Sequence, residues 1–178
     1  VAVGCAQAGS STTSDAQGET ETETEQDTLS ATKEGNGGGT ITTTPAGIDC
    51  GVDCDGIYDR GTSVTLMATP DMRSAFVGWS GGGCSGTDAC VVTMDGAIAV
   101  TATFSLTQHT LTVMRAGNGG GTVTSAAAGI ACGSDCTETY DYDTSVMLTA
   151  GANGSSTFAG WSGGNCSGTG TCTTTITD

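Results

Sequence analysis

The feature that most constrains this chain is an internal repeat. Shifted by 82 residues, the chain lies over itself without a gap: residues 27–96 align with 109–178, and 36 of the 70 aligned positions are identical. Gly35-Asn36-Gly37-Gly38-Gly39-Thr40 recurs as Gly117-Asn118-Gly119-Gly120-Gly121-Thr122, and Gly78-Trp79-Ser80 as Gly160-Trp161-Ser162. Such agreement marks a tandem duplication. The domains expected are a first unit over 27–107 and a second over 108–178, after a dissimilar stretch at 1–26. Each unit must close a core on roughly 80 residues, and the whole chain holds 30 Gly and only eight Phe, Trp or Tyr. A core that small needs staples.

The local patterns are those of strands. Leu111-Thr112-Val113-Met114, Ser145-Val146-Met147-Leu148-Thr149, Thr157-Phe158-Ala159-Gly160-Trp161 and, in the first unit, Val91-Val92-Thr93-Met94 are short runs rich in β-formers. From Ala97 to Phe104 the residues Ile98, Val100, Ala102 and Phe104 share one face of an extended chain. Asn118-Gly119 suits a tight hairpin turn between Leu111–Met114 and Thr122–Thr124. No helical period runs for any length. The expected fold class is all-β: two tandem, small, mostly antiparallel β modules. Phe76 and Trp79, and their counterparts Phe158 and Trp161, are the expected core aromatics. The second unit reaches Asp178 opposite Gly96, so residues 1–178 hold no counterpart of 97–104 for it. It is expected either to continue past Asp178 or to expose a sheet edge that a neighbour's strand completes.

Eight of the nine cysteines fall into four close pairs that recur at the offset of 82: Cys50/Cys54, Cys84/Cys90, Cys132/Cys136 and Cys166/Cys172. Glycine inside each loop permits closure, and short-range disulfides are the expected outcome. They place the chain outside the cytosol. A four-thiolate zinc site is the competing reading, against which stand the absence of C-x2-C knuckles and the 29 residues between Cys54 and Cys84.

The ninth cysteine, Cys5, ends Val1-Ala2-Val3-Gly4-Cys5, which resembles the lipobox of a bacterial lipoprotein. The resemblance implies acylation of Cys5, and Ala6 after it implies the outer membrane of a Gram-negative cell. A Ser/Thr run and then Glu19-Thr20-Glu21-Thr22-Glu23-Thr24-Glu25 follow, a composition expected to be a disordered acidic tether. The chain does not begin with Met, so a segment upstream is expected.

The runs Leu111-Thr112-Val113, Gly117 to Val123, Gly129-Ile130, Cys132, Cys136, Phe158-Ala159-Gly160-Trp161-Ser162-Gly163 and Cys166-Ser167-Gly168 resemble the divergent internalin-B-type repeat. So do their counterparts from Leu29 to the closing Val100-Thr101-Ala102-Thr103-Phe104. The resemblance implies a β-rich, non-catalytic module found in tandem in bacterial surface, adhesin-like and secreted proteins, with no catalytic residues to carry over.

Other motifs have plainer explanations. Gly78-Trp79-Ser80-Gly81-Gly82 fits the G-x-S-x-G nucleophile elbow, but that chemistry needs a strand-to-helix turn and a histidine base. The one histidine, His109, lies over Asp27 in the other unit. Asp53, Asp55 and Asp59 are calcium candidates, diluted in the second unit to Asp135, Glu138 and Asp141; a solvated acidic loop is the default. Trp79 and Trp161 could stack on a glycan, although core packing accounts for both. An isopeptide crosslink would need a lysine in each unit, and Lys33 is the only one.

The net charge of −15 opposes nucleic acid and anionic lipid surfaces. Membrane association is expected only through a lipid on Cys5. The function expected is that of a non-enzymatic structural or adhesive module of a cell-surface or secreted protein. Its partners would be further repeats or neighbouring subunits, and possible ligands are a surface glycan or protein. A filament subunit completed by strand donation and a carbohydrate- or calcium-binding module are the alternatives.

Overall fold

The computed structural model describes residues 24–126 and 129–177. Cys5, the lipobox-like start and the acidic run as far as residue 23 lie outside them. The described residues are all β and contain no helix.

The first unit stacks two sheets. One has the order β3 (Asp55–Asp59), β1 (Gln26–Glu34), β7 (Ile98–Leu106), β5 (Ser74–Gly81). The other has the order β2 (Gly39–Thr44), β4 (Ser63–Pro70), β6 (Cys90–Thr93). The alternation expected for β7 is real: Val100, Ala102 and Phe104 are at most 1% exposed. They meet Leu29 of β1, Ile41 of β2, and Val64 and Leu66 of β4 in one core fed by both sheets. Every pairing in this unit is antiparallel except one. β1 and β7 run side by side in parallel, from Leu29↔Ile98 to Glu34↔Thr103.

That topology corrects the hairpin expected at the Gly-Asn-Gly turns. β1 pairs with β3 and β7 and β2 pairs with β4, so the turn carries the chain from one sheet to the other. Only Gly35, and Gly117 in the second unit, take a positive φ there; the Asn-Gly pairs do not. The turn is pinned instead by the end of β7: Gly37 N–H donates to Phe104 O at 3.1 Å, and Leu106 N–H donates to Asn36 Oδ1 at 3.1 Å.

The second unit keeps one of the two sheets. β9 (Gly121–Ser125), β12 (Ser145–Ala152) and β15 (Cys172–Thr175) repeat β2, β4 and β6, with the two-residue β10 (Ala131–Cys132) added at the edge. The other sheet shrinks to β8 (Gln108–Thr112) and β11 (Thr137–Asp141), the counterparts of β1 and β3. With no counterpart of β7 among the described residues, most of the segment equivalent to β5 is left without a strand partner. Residues 156–160 form no strand, and only β13 (Trp161–Gly163) survives, paired with β14 (Cys166–Gly168) across the disulfide loop. The strand expected at Thr157–Trp161 is therefore corrected to its last residue.

A single residue, Thr107, separates β7 from β8, so the units are joined without a linker. Thr107 N–H donates to Arg73 O at 2.9 Å, and Tyr142 N–H donates to Thr107 O at 2.7 Å. Across the joint the Arg73 guanidinium lies 4.5 Å over the Tyr142 ring, and Asn36 Nδ2 donates to Asp141 Oδ2 at 2.6 Å.

Candidate functional site

In each unit the tryptophan is held by the second disulfide loop. Gly78 has φ +153°, and a Cβ there would lie 3.0 Å from Gly86 O. Glycine at 78 thus lets Trp79 N–H reach Gly86 O at 2.9 Å. The indole Nε1–H then donates to Asp88 O, inside the loop closed by Cys84–Cys90, at 2.9 Å. The second unit repeats this with Gly160 and with Trp161 Nε1–H donating to Gly170 O at 2.7 Å, inside Cys166–Cys172. The other two bridges, Cys50–Cys54 and Cys132–Cys136, close the loop before β3 and before β11, with Cα atoms 4.3 and 4.2 Å apart. All eight repeat-paired cysteines are thus in disulfides, and none is left as a zinc thiolate.

The aromatic environments differ. Trp79 is buried, with Phe76 at 5.1 Å edge to face and the Phe104 ring tilted against Phe76 at 5.4 Å. Phe158 and Trp161 keep the edge-to-face contact at 5.0 Å. Both are nonetheless partly exposed, and Trp161 sits at the margin of the core. Their expected core role is corrected for the second unit because the third ring, borne on β7 in the first, has no counterpart among the described residues. Phe76 is likewise only partly buried, against the core rather than within it.

The calcium candidates do not converge. Asp53 Oδ1 accepts the Asp55 N–H at 3.2 Å, and Asp59 Oδ1 accepts Gln26 Nε2–H at 2.9 Å. All three are exposed, and no group of three potential metal ligands occurs among the described residues. Ser80, of the Gly-x-Ser-x-Gly sequence, lies within β5 opposite Thr101, in a sheet rather than at a strand-to-helix turn. His109 packs against Tyr142, 6.1 Å between ring centres.

Two features were not foreseen. One is the joint. Arg73 and Tyr142 have no repeat counterparts of like chemistry, since Ser155 and Arg60 stand at the equivalent positions. The available signal was that break in symmetry. The other is a cleft of about 1050 Å³ in the second unit, lined by Met114, Arg115, Val123, Ala150, Phe158 and Trp161 among others. Of its lining residues, Arg115, Phe158 and Trp161 are the repeat counterparts of Lys33, Phe76 and Trp79, which border β7 in the first unit. Met114 stands 88% exposed at its rim.

No curated protein and no solved structure matches this chain. The family model of the divergent InlB B-repeat domain matches residues 28–108. Those residues run from β1 through β7 to the start of β8, the whole of the first unit. Over that first unit, with its pair of sheets and its two staples, the chain is similar to the divergent InlB B-repeat domain.

Proposed function

We propose that this chain is a non-enzymatic structural segment of a bacterial cell-surface or secreted protein. It would hold whatever it carries at a set distance and orientation from its attachment. The observation that carries this reading is the one-residue joint between the units, closed by the Arg73–Tyr142 and Asn36–Asp141 contacts. A free linker would let two small domains tumble independently. A joint with strand-to-strand continuity and side-chain contacts favours a fixed angle, as in other repeat arrays. Disulfides fit an oxidising compartment, and the −15 charge suits a solvated, non-sticking surface. Acylation of Cys5 would supply the anchor. Of the structural and adhesive roles, the joint favours the structural one, and neither a calcium nor a zinc ion is part of it.

Two measurements test this. Small-angle scattering of the 178-residue chain should fit one fixed arrangement of the units, and the double substitution Asn36→Ala/Arg73→Ala should broaden the distance distribution. Protease shaving of intact producing cells should release fragments of residues 27–178, and radiolabelled fatty acid should enter the protein only while Cys5 is present. A scattering curve that already requires freely jointed units, or a chain protected from protease until cells are broken, would rule the reading out.

A further inference from the structure

We infer that Thr107, His109 and Tyr142 form the face by which a unit is seated on the unit before it, and that Glu25, Asp27 and Arg60, at the same places in the first unit, close that face to a repeat bearing Arg73. The inference rests on the fixed joint proposed above and adds which partner such a joint selects.

The two faces share one backbone. Under the offset of 82, Glu25, Gln26, Asp27, Asp59 and Arg60 lie over Thr107, Gln108, His109, Asp141 and Tyr142. Arg60 N–H donates to Glu25 O at 2.8 Å, as Tyr142 N–H donates to Thr107 O at 2.7 Å. Gln26 Nε2–H donates to Asp59 Oδ1 at 2.9 Å, as Gln108 Nε2–H donates to Asp141 Oδ1 at 2.9 Å. On this common frame the side chains at three positions change their chemistry: hydroxyl to carboxylate, imidazole to carboxylate, and phenol to guanidinium.

In the second unit these positions hold Arg73. Arg73 takes φ +71°, a left-handed conformation that a residue with a side chain seldom adopts. Its carbonyl accepts the Thr107 N–H at 2.9 Å and the Thr107 Oγ1–H at 3.2 Å. Its guanidinium lies over the Tyr142 ring, and His109 packs edge to face on that ring. A strained backbone held by contacts from the neighbouring unit marks Arg73 as a docking residue.

In the first unit the same positions satisfy one another. The Arg60 guanidinium is ion-paired with Glu25, lies 3.4 Å from Asp27 Oδ2 and donates to Asp95 O at 3.3 Å. A preceding unit that brought its own Arg73 to this face would set one cation on another, where the second unit offers a ring. The two carboxylates do not invite that guanidinium, because Arg60 already engages both. The Glu25 carboxylate has no hydrogen to give the carbonyl that Thr107 Oγ1–H serves. Of the side-chain contacts, only the bond from Asn36 to Asp141 carries over, to Asp59. Two attractions thus become repulsions, which is how a surface rejects a partner of the wrong kind. The ionic cluster gives the first unit the polar outer face of a terminal unit in a stack.

The test lengthens the chain. Residues 1–106 followed by residues 25–178 place an added first unit upstream, its Leu106 joined to Glu25 as Leu106 is joined to Thr107 in the native joint. Hydrogen exchange is read, relative to intrinsic rates, at the amide that faces Arg73 O. At the added joint the Glu25 amide should exchange about tenfold faster, or more, than the Thr107 amide of the native joint. Converting the new face with Glu25→Thr, Asp27→His and Arg60→Tyr should restore the protection. The reverse set in the 178-residue chain, Thr107→Glu, His109→Asp and Tyr142→Arg, should speed exchange at position 107 by about tenfold or more. The core amides of β7 and β12 should stay protected throughout, which shows that the units remain folded. An added joint with Glu25, Asp27 and Arg60 that is as protected as the native one would overturn the inference. So would a converted face that stays unprotected. In both of those cases a protected Thr107 in the unmodified chain leaves the fixed joint standing; an unprotected Thr107 there would overturn the joint and the inference together.

Discussion

The two units share half their residues, and among the described residues only the first has its central strand β7, so the pair shows what that strand organises. The sheet of β2, β4 and β6 survives in the second unit as β9, β12 and β15, with its disulfide loops intact. The sheet of β3, β1, β7 and β5 does not survive: two strands remain of four. Losing β7 removes more than its own residues, because it is central. It leaves β1's counterpart with a bare edge, dissolves most of β5's counterpart and uncovers an aromatic pair. The contrast teaches that 156–160 is a strand only by virtue of its partner, although Phe158-Ala159-Gly160-Trp161 is nearly the sequence that forms β5.

The contrast can be broken most sharply at Phe104. It is fully buried, and Phe104→Ala should cost the first unit about 3–5 kcal/mol. Amides 74–81 should then exchange as fast as 156–163; a denaturation midpoint that hardly moves would mean β7 is not the organiser. Next come the tryptophans. Trp79→Ala should cost about 3–5 kcal/mol, and Trp161→Ala about 1–2 kcal/mol, since Trp161 is already partly exposed at the margin of its core. Equal losses in parallel urea titrations would erase the difference claimed between the units.

Removing Cys50–Cys54 or Cys132–Cys136 by paired Cys→Ala changes should cost about 2 kcal/mol each by loop closure. The costs should match because both bridges flank conserved parts of the fold, and unequal ones would show that the lost strand is felt there too. The smallest effect belongs to the joint. Arg73→Ala should cost about 0.5–1 kcal/mol from the lost cation–π contact. It should be read as a loosening of the inter-unit angle, with each unit's own melting unchanged.

Much of this was legible in the chain, for identifiable reasons. The offset of 82 reveals the units, the recurrence of four cysteine pairs points to local bridges, and the alternation at Ile98–Phe104 marks β7. These are signals that a residue carries in its own neighbourhood. What failed was non-local. Asn36-Gly37 announces a turn but not which sheets it connects, and the parallel contact of β1 with β7 leaves no mark in either strand. The partly exposed state of Phe158 and Trp161 depends on a strand that in the first unit pairs across the sheet with Phe76 and Trp79, at Phe104 and Ala102. The joint was hidden because Arg73 and Tyr142 meet only through the packing of one unit on the other, and Asn36 and Asp141 are the same residues in both repeats.

The parallel alignment of β1 with β7 has a consequence for a chain under tension. These are the first and last strands of the first unit, and they are joined along six register positions from Leu29↔Ile98 to Glu34↔Thr103. A pull on the two ends of the unit drives the strands past each other lengthwise. The hydrogen bonds between them are then loaded together in shear, rather than one at a time as when a hairpin is unzipped. The first unit should act as a mechanical clamp, and in a chain of residues 1–178 the second, with no such terminal pair among its described residues, should yield first and at lower force. Stretching single molecules from both ends would show two unequal rupture events. Two equal ones would mean that the last strand bears no load.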